Sequence, residues 1–400
     1  PFPTAELLIA LSQDPDAHVR AKAAYHMGLH VSEATGARLV AMLADPEPRV
    51  RRIVCESLVR AGHQPAPERL LPLLADDDRF VSWAARRALE RIPAGRWRDM
   101  VLGSSNPRVF TQGAIALLIV EPEDQNVRTI LHKSSTLMRE FLEDAEFLAL
   151  LRTIELAILR GDVAPSSIPE LSQQLAEEYP ALDPRMNREL VRLLVYLDRG
   201  EVLPRFRASL ADDDSDIAER LHLATHLRFL ESGWSIDDRL ALLGFLEEAR
   251  SLPGGHSFSR YMETFSRDVV ADMSDEERWA VLAVGEQMPG AAFAAVAKLP
   301  ARIDALFHCA GVPGPPRFDA LQTMLVNFVG LRHLTETLLD RIADGGAIAA
   351  ISSVAGMGWP KNLENVKALM EIGDFAAARA WCEAHPEAAN GYLFSKQCII

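Results

Sequence analysis

Apolar positions in the first third of the chain recur in a fixed relation to short acidic turns. Leu11-Ser-Gln-Asp-Pro-Asp-Ala-His-Val19, Leu43-Ala-Asp-Pro-Glu-Pro-Arg-Val50 and Leu74-Ala-Asp-Asp-Asp-Arg-Phe-Val81 align, and Val19, Val50 and Val81 stand 31 residues apart. Val109 follows 28 residues later, after Ser104-Ser105-Asn106-Pro107. Leu210-Ala-Asp-Asp-Asp-Ser-Asp-Ile217 repeats the third copy nearly letter for letter. From each β-branched residue the apolar positions run at i, i+4 and i+8: Val19, Ala23, Met27; Val50, Val54, Leu58; Val81, Ala85, Leu89. That spacing predicts a helix with one buried stripe. Asp14, Asp45, Asp76 and Asp212 hold the same place before the stripe. A carboxylate there can cap free amides and meet the positive end of the helix. A second helix precedes each turn, as in Pro67-Glu-Arg-Leu-Leu-Pro-Leu-Leu74. A helical pair of this size cannot bury its face alone, so neighbours must stack into an α-solenoid, with Val19, Val50, Val81, Val109 and Ile217 buried at equivalent places.

This motif resembles HEAT repeats, closely over residues 5–120 and more loosely to about 285. Residues 121–205 stay helical in pattern, as in Phe141–Leu151 and Asn187–Tyr196, but lose the turn signature. With the run Leu252-Pro-Gly-Gly-His-Ser-Phe-Ser-Arg-Tyr261, the region is similar to the HEAT segment of large bacterial multidomain haem-binding proteins. In those a c-type cytochrome follows; its CxxCH is absent here, so no haem is expected. The resemblance implies a scaffold that binds protein through the solenoid surface.

Near residue 290 the pattern changes, which divides the chain into a helical repeat domain, 1–289, and a different segment, 290–400. Ala291–Pro300 reads as a helix, Ile303-Asp-Ala-Leu-Phe-His-Cys-Ala-Gly311 as a buried strand and turn, and Phe318–Ile342 as a long helix. Gly345-Gly-Ala-Ile-Ala-Ala-Ile-Ser-Ser353 reads as a second buried strand. A helix between two apolar strands is the βαβ signature of a parallel sheet. The fold class expected is therefore mainly α: a HEAT-like α-solenoid followed by a truncated α/β segment of Rossmann type.

Four motifs occur in order here: Phe307-His-Cys-Ala-Gly311, Asn327 in Val326-Asn-Phe-Val-Gly-Leu-Arg332, Ile351-Ser-Ser-Val-Ala-Gly356 and Tyr392-Leu-Phe-Ser-Lys396. Together they resemble the short-chain dehydrogenase/reductases. The long stretch between Ser353 and Tyr392 is similar to the hydroxysteroid dehydrogenase/carbonyl reductase branch, which carries a helical insertion there; Asn365–Ile372 and Phe375–Cys382 look helical. The resemblance implies a catalytic set of Asn327, Ser353, Tyr392 and Lys396. It implies NAD or NADP as cofactor, held by Cys309, Ala310, Gly311, Tyr392 and Lys396. Hydride transfer at a carbonyl needs a proton donor, and a tyrosine of ordinary pKa, about 10, is a poor base in the reverse direction. Lys396 lies one helical turn from Tyr392 on the same face, where its charge would favour tyrosinate. By the same likeness Lys396 would hold the nicotinamide ribose, Ser353 would bond the substrate oxygen, and Asn327 would extend a proton relay through water.

Within the 400 residues no glycine-rich TGxxxGxG turn exists; Thr35-Gly36-Ala37-Arg38 carries only its first two letters. Cys309 stands where that family has asparagine. Holding a dinucleotide requires that turn and a helix start facing the pyrophosphate. The expectation is thus a scaffold carrying a dehydrogenase segment without turnover. Opposed to it is an NAD(P)-dependent oxidoreductase acting on a steroid-like or other apolar ketone or alcohol, with the repeats as an accessory. A junction of two unrelated reading frames near 290 is a third reading.

Composition narrows the rest. The formal net charge is −14, against nucleic acid as a partner. No apolar run is long enough for a membrane helix, and a cytoplasmic setting is favoured for the dehydrogenase-like part. Cys55, Cys309, Cys382 and Cys398 form no CxxC pair or disulfide framework. His18, His26, His30 and His63 are scattered, and Asp76–Asp78 and Asp212–Asp214 lack the glycine and distal glutamate of a calcium loop, so no metal site is expected. His256 and Ser257, beside Gly254-Gly255, read as an interhelical turn rather than a catalytic pair. Scarce lysine beside abundant arginine fits a GC-rich bacterial genome. The first residues, Pro1-Phe2-Pro3, and the last, Lys396–Ile400, read as cut ends of a longer product.

Overall fold

The computed structural model describes residues 3–255, 257–285, 287–299 and 302–400; His256 and Pro300 lie outside the described residues. The chain forms two compact units, Pro1–Asp238 and Arg239–Ile400. The change of sequence pattern near 290 therefore falls inside the second unit, whose first helices precede it.

The first unit is an α-solenoid. Its helices begin α1 (Ala5–Leu11), α2 (Ala17–Met27), α3 (Glu33–Ala41), α4 (Pro48–Ala61), α5 (Leu71–Leu74), α6 (Arg79–Leu89) and α7 (Arg98–Leu102). They continue as α8 (Pro107–Val120), α9 (Asp124–Leu137), α10 (Asp144–Gly161), α11 (Pro169–Glu178), α12 (Pro184–Tyr196), α13 (Leu203–Leu210) and α14 (Ile217–Leu227). The even-numbered helices from α2 to α14 pack each on the next, forming one layer, and odd-numbered helices such as α1 and α3, or α9 and α11, pack alongside. Val50 and Val81 are completely buried and Val109 nearly so. Each such valine contributes roughly 1.5–3 kcal/mol. Val19 and Ile217 are only half-buried, which corrects the expectation for these two.

The repeated aspartates do more than cap. The caps are Asp16, Asp78 and Asp216, which accept from His18 N, Phe80 N and Ala218 N; α4 has no side-chain cap and starts with Pro48 instead. Asp14, Asp45, Asp76 and Asp212 each accept the amide two residues on, closing the turn before the cap. That corrects the capping role assigned from sequence. Two of them also join repeats. Arg20 donates from Nε and Nη2 to Asp45 at 2.8 and 2.9 Å, and from Nη1 to the carbonyls of Asp14 and Pro15. Arg51, one repeat later, donates from Nε to Asp76 at 2.9 Å and from Nη1 to the carbonyls of Asp45 and Pro46. At the next equivalent place Ser82 takes over, donating to the Leu74 carbonyl. A guanidinium that grips its own turn and the next repeat's carboxylate fixes the stacking register.

The second unit starts in the first turn of α15 (Ile236–Ala249) and continues with α16 (Phe258–Ala271), α17 (Asp275–Ala283) and α18 (Pro289–Lys298). Then come β1 (Ile303–His308), α19 (Ala320–Met324), a π-helical turn over Leu325–Val329, α20 (Gly330–Leu338) and β2 (Ile342–Ala350). A 3-10 helix, Val354–Asn362, leads into α21 (Leu363–Met370), α22 (Phe375–Ala384) and α23 (Tyr392–Gln397). β1 and β2 pair in parallel, Phe307 opposite Ala349, with a register irregularity after Ile303. Gly345, at φ 81, sits at that irregularity, and β2 begins at Ile342 rather than at the glycines. The long helix expected over 318–342 is real but broken by the π turn, which contains Asn327. His308 points from β1 to α20, its Nε2 2.8 Å from the Thr335 hydroxyl, and is buried. The sheet is otherwise open: Phe307 is 69% exposed and every residue of β2 from Asp344 to Ala350 is exposed, which corrects the expectation of two buried strands.

Candidate functional site

α23 carries Tyr392 and Lys396, and its placement is tightly specified. Gly391 at its start has φ 90, in the region favouring glycine, and a Cβ there would lie 3.2 Å from Ala320 Cα. Gly356 lets the 3-10 helix lie directly on α23; a Cβ would come within 2.5 Å of the Lys396 carbonyl. Beneath α23, Met324, Phe328, Leu369, Ala378, Cys382, Phe394 and Cys398 form one apolar cluster. The segment between Ser353 and Tyr392 thus supplies the core, through α21 and α22, on which the Tyr-Lys helix rests. Burial pushes the Cys398 thiol up to about 12 and the Cys382 thiol to about 11, so both act as apolar filling.

Lys396 is 5% exposed, and its Nζ donates to the Ile351 carbonyl at 2.9 Å. Its ammonium lies 5.8 Å from the centre of the Tyr392 ring, a cation–π distance. No carboxylate pairs with Lys396 among the described residues. Asn327 is fully buried and grips one residue: its Oδ1 accepts from Val312 N at 2.7 Å and its Nδ2 donates to Val312 O at 3.0 Å. The same Nδ2 reaches Ser395 Oγ at 3.2 Å, which donates in turn to the Tyr392 carbonyl. Gly311 completes the group. A Cβ on it would stand 3.5 Å from Asn327 Oδ1 and 3.8 Å from Lys396 Nζ.

The structure therefore gathers Gly311, Asn327, Tyr392 and Lys396. Cys309 and Ala310 lie exposed at the end of β1. Ser353 caps the 3-10 helix, accepting from Ala355 N at 3.3 Å, and makes no hydrogen bond to Tyr392 among the described residues. Its neighbour Ser352 touches α23 instead, donating to the Lys396 carbonyl at 3.2 Å. Ser352, Ser395 and the Asn362–Gln397 pair at 2.6 Å were not singled out from sequence. Ser395 stands inside the Tyr-x-x-Ser-Lys motif, but only the fold shows that its hydroxyl ties Asn327 to α23.

HEAT repeats match residues 4–90. The chain is also 39% identical over 107 residues to a coniferyl-alcohol dehydrogenase from Pseudomonas sp. (strain HR199), an alignment covering 26% of this chain and 41% of that protein. The chain thus spans about two-fifths of that relative's length. It joins HEAT repeats to a partial segment of short-chain dehydrogenase/reductase ancestry. Two solved structures share a looser likeness. An engineered protein aligns with 73% of this chain and 89% of its own, at 16% identity and a TM-score of 0.40. The complex of CpcE and CpcF of phycocyanin lyase from Nostoc sp. PCC7120 covers 62% of this chain and 95% of its own, at 17% identity and a TM-score of 0.28. At that level the repeat assignment rests on the match to residues 4–90. No helix among the described residues is long and apolar enough to cross a membrane.

Proposed function

We propose that this chain is a protein-binding scaffold whose dehydrogenase-like segment has a structural rather than a catalytic role. The observation that carries the reading is how Asn327 and Lys396 are engaged. Both direct their polar groups at backbone of their own segment, Val312 and Ile351, and so hold the β1 turn, the end of β2 and α23 together. Lys396 and Gly311 could meet the ring-and-ribose end of a nicotinamide cofactor. The residues do not fit the rest of it, because these 400 residues encode no glycine turn where backbone meets pyrophosphate. Without that anchor the cofactor seldom reaches a reactive pose, and proximity contributes little.

The second reading keeps the ammonium of Lys396 over Tyr392 as a working proton-transfer pair, in an oxidoreductase acting on a steroid-like or other apolar ketone or alcohol. The likeness to a coniferyl-alcohol dehydrogenase favours it. The two are separated by assay of the full chain with coniferyl alcohol plus NAD or NADP, and with a panel of ketones plus NADH or NADPH. The scaffold reading expects no turnover above background. Turnover that disappears in Tyr392→Phe overturns it.

A further inference from the structure

Two steps of the solenoid cross between repeats with an acid on an arginine, Arg20–Asp45 and Arg51–Asp76. The step from α10 to α12 differs, because it also sets an acid on an acid. These two helices pack together, and the carboxyls of Glu155 on α10 and Glu189 on α12 are hydrogen-bonded to each other. Both line a cavity of about 460 Å³.

A carboxylate only accepts, so this bond needs a proton on one of the two. The surroundings say which one. Glu189 is 4% exposed and accepts from Arg152 Nε at 2.9 Å and from Arg192. Burial alone would raise its carboxyl, but the Arg152 bond and the charges of Arg192 and Arg152 hold it below the usual carboxylate value. Glu155 is half-buried and its Oε1 is wholly buried, with no donor reaching that oxygen among the described residues. An ionised carboxylate there would leave the oxygen uncompensated, a cost that the neutral acid avoids.

We propose that Glu155 and Glu189 form a proton-held latch: the acid of Glu155 donates to the carboxylate of Glu189 and ties α10 to α12, and loss of that proton loosens this step of the array. The latch is independent of whether the dehydrogenase-like segment has activity.

The charged groups that face the pair are Arg152 on α10 and Arg192 on α12. Arg185 and Arg188, farther along the cavity, are tied to Asp183 and Glu219. α8 and α9, which also pack on α10, place no charged side chain in the cavity among the described residues. Burial first, then the Glu189 charge, pushes the Glu155 carboxyl up to about 7, against the two arginines. The folded chain therefore keeps a proton that the unfolded chain sheds near the ordinary 4.5. The stability that goes with it is complete below the ordinary value and lost as the pH rises through about 7. His222 of α14, which packs on α12, is lowered by burial, so its slope runs the other way. The informative quantity is thus the difference between wild type and Glu155→Gln at each pH.

Glu155→Gln supplies an amide donor to Glu189 that does not titrate. The full chain carrying it should melt with the wild type at about pH 5 and about 2–4 °C above it at about pH 8. At the higher pH, amide exchange in residues 144–161 and 184–196 should be slower in Glu155→Gln than in the wild type, and equal in 5–90. Infrared spectra of the wild type with isotope-labelled glutamate read the proton itself, whether or not the variant folds well. A protonated-acid carbonyl band is expected at about pH 6, fading through about 7, and Glu155→Gln should lack one carboxyl's share of it. Parallel melting profiles in the two proteins, equal exchange in α10 and α12, or no protonated carboxyl in the wild type at about pH 6 each overturn the latch.

Discussion

The helical array and the dehydrogenase-like segment solve the same burial problem differently. In the array, each repeat offers a stripe that its neighbour covers, and Val50, Val81 and their equivalents inside the stack are buried. The Arg20–Asp45 and Arg51–Asp76 pairs then set the register from one repeat to the next. In the segment, the two parallel strands are largely exposed: only His308 of β1 is buried, against Thr335 of α20, while Phe307 and the residues of β2 from Asp344 to Ala350 are open. Parallel sheets are ordinarily covered on both faces. The difference teaches where order comes from in each. The array is built by repetition, so its order comes from the contacts each repeat makes with its neighbours. The segment rests on one apolar cluster under α23, to which polar clamps, chiefly Asn327 on Val312 and Lys396 on Ile351, fix the turn after β1 and the end of β2.

The largest expected effect breaks the array. Val81→Asp buries an unpaired carboxylate in the stack and should cost about 4 kcal/mol or more. Arg79→Asp, at an exposed helix start, should cost under about 1 kcal/mol. Thermal melts of the two variants decide it, and equal shifts would mean that the stripe is misplaced.

The next breaks the segment. Gly356→Ala forces a Cβ against the Lys396 carbonyl and should destabilise the α23 contact by about 2–3 kcal/mol. Hydrogen exchange should accelerate in residues 392–400 and stay unchanged in 5–90. Uniform acceleration would show the two units to be one cooperative body.

A smaller effect sharpens the role of the ladder. Arg51→Ala removes bonds to Asp76 and to two carbonyls and should cost about 2 kcal/mol. Arg52→Ala, which loses an exposed pair with Glu56 and an exposed contact over the Phe80 ring, should cost under about 1 kcal/mol. Comparable urea midpoints would deny the ladder its role in register.

The smallest is a matter of pH. Burial raises the Asp45 carboxyl, but hydrogen bonds from Arg20 and Glu47 N outweigh it, so its folded pKa lies below the usual 3.8. That contribution is complete above the ordinary pKa and lost as the pH falls through the lowered one. Asp45→Asn should therefore reduce the acid sensitivity of the melting temperature below about pH 4. His308, lowered by burial, acts in the same direction at higher pH: the folded chain resists its charging, so its contribution fades as the pH drops below about 6.5. His308→Gln should flatten the melting profile between about pH 5 and 6.5.

Much of this was legible in the sequence. A 31-residue period with i, i+4, i+8 stripes fixes helices and stacking, because burial obeys spacing. Ordered motifs placed Asn327, Tyr392 and Lys396 on one segment, and the fold brings them together with Gly311. What spacing does not encode is which partner a polar group takes. Asp14 and Asp16 are both acids before a helix, and only backbone geometry decides which one caps. Ser353 and Ser352 are adjacent identical residues, and strand register turns one to α23 and the other to its own helix start. Val19 and Ile217 share the spacing of Val50 and Val81 yet are only half-buried, which spacing alone does not encode.

The central claim, a scaffold joined to a dehydrogenase-like segment that holds no cofactor, is tested most directly by calorimetric titration of the full chain with NADH and NADPH. The account predicts only heats of dilution up to millimolar cofactor. Saturable binding at micromolar concentration, weakened in Lys396→Met while the melting temperature is kept, would contradict it.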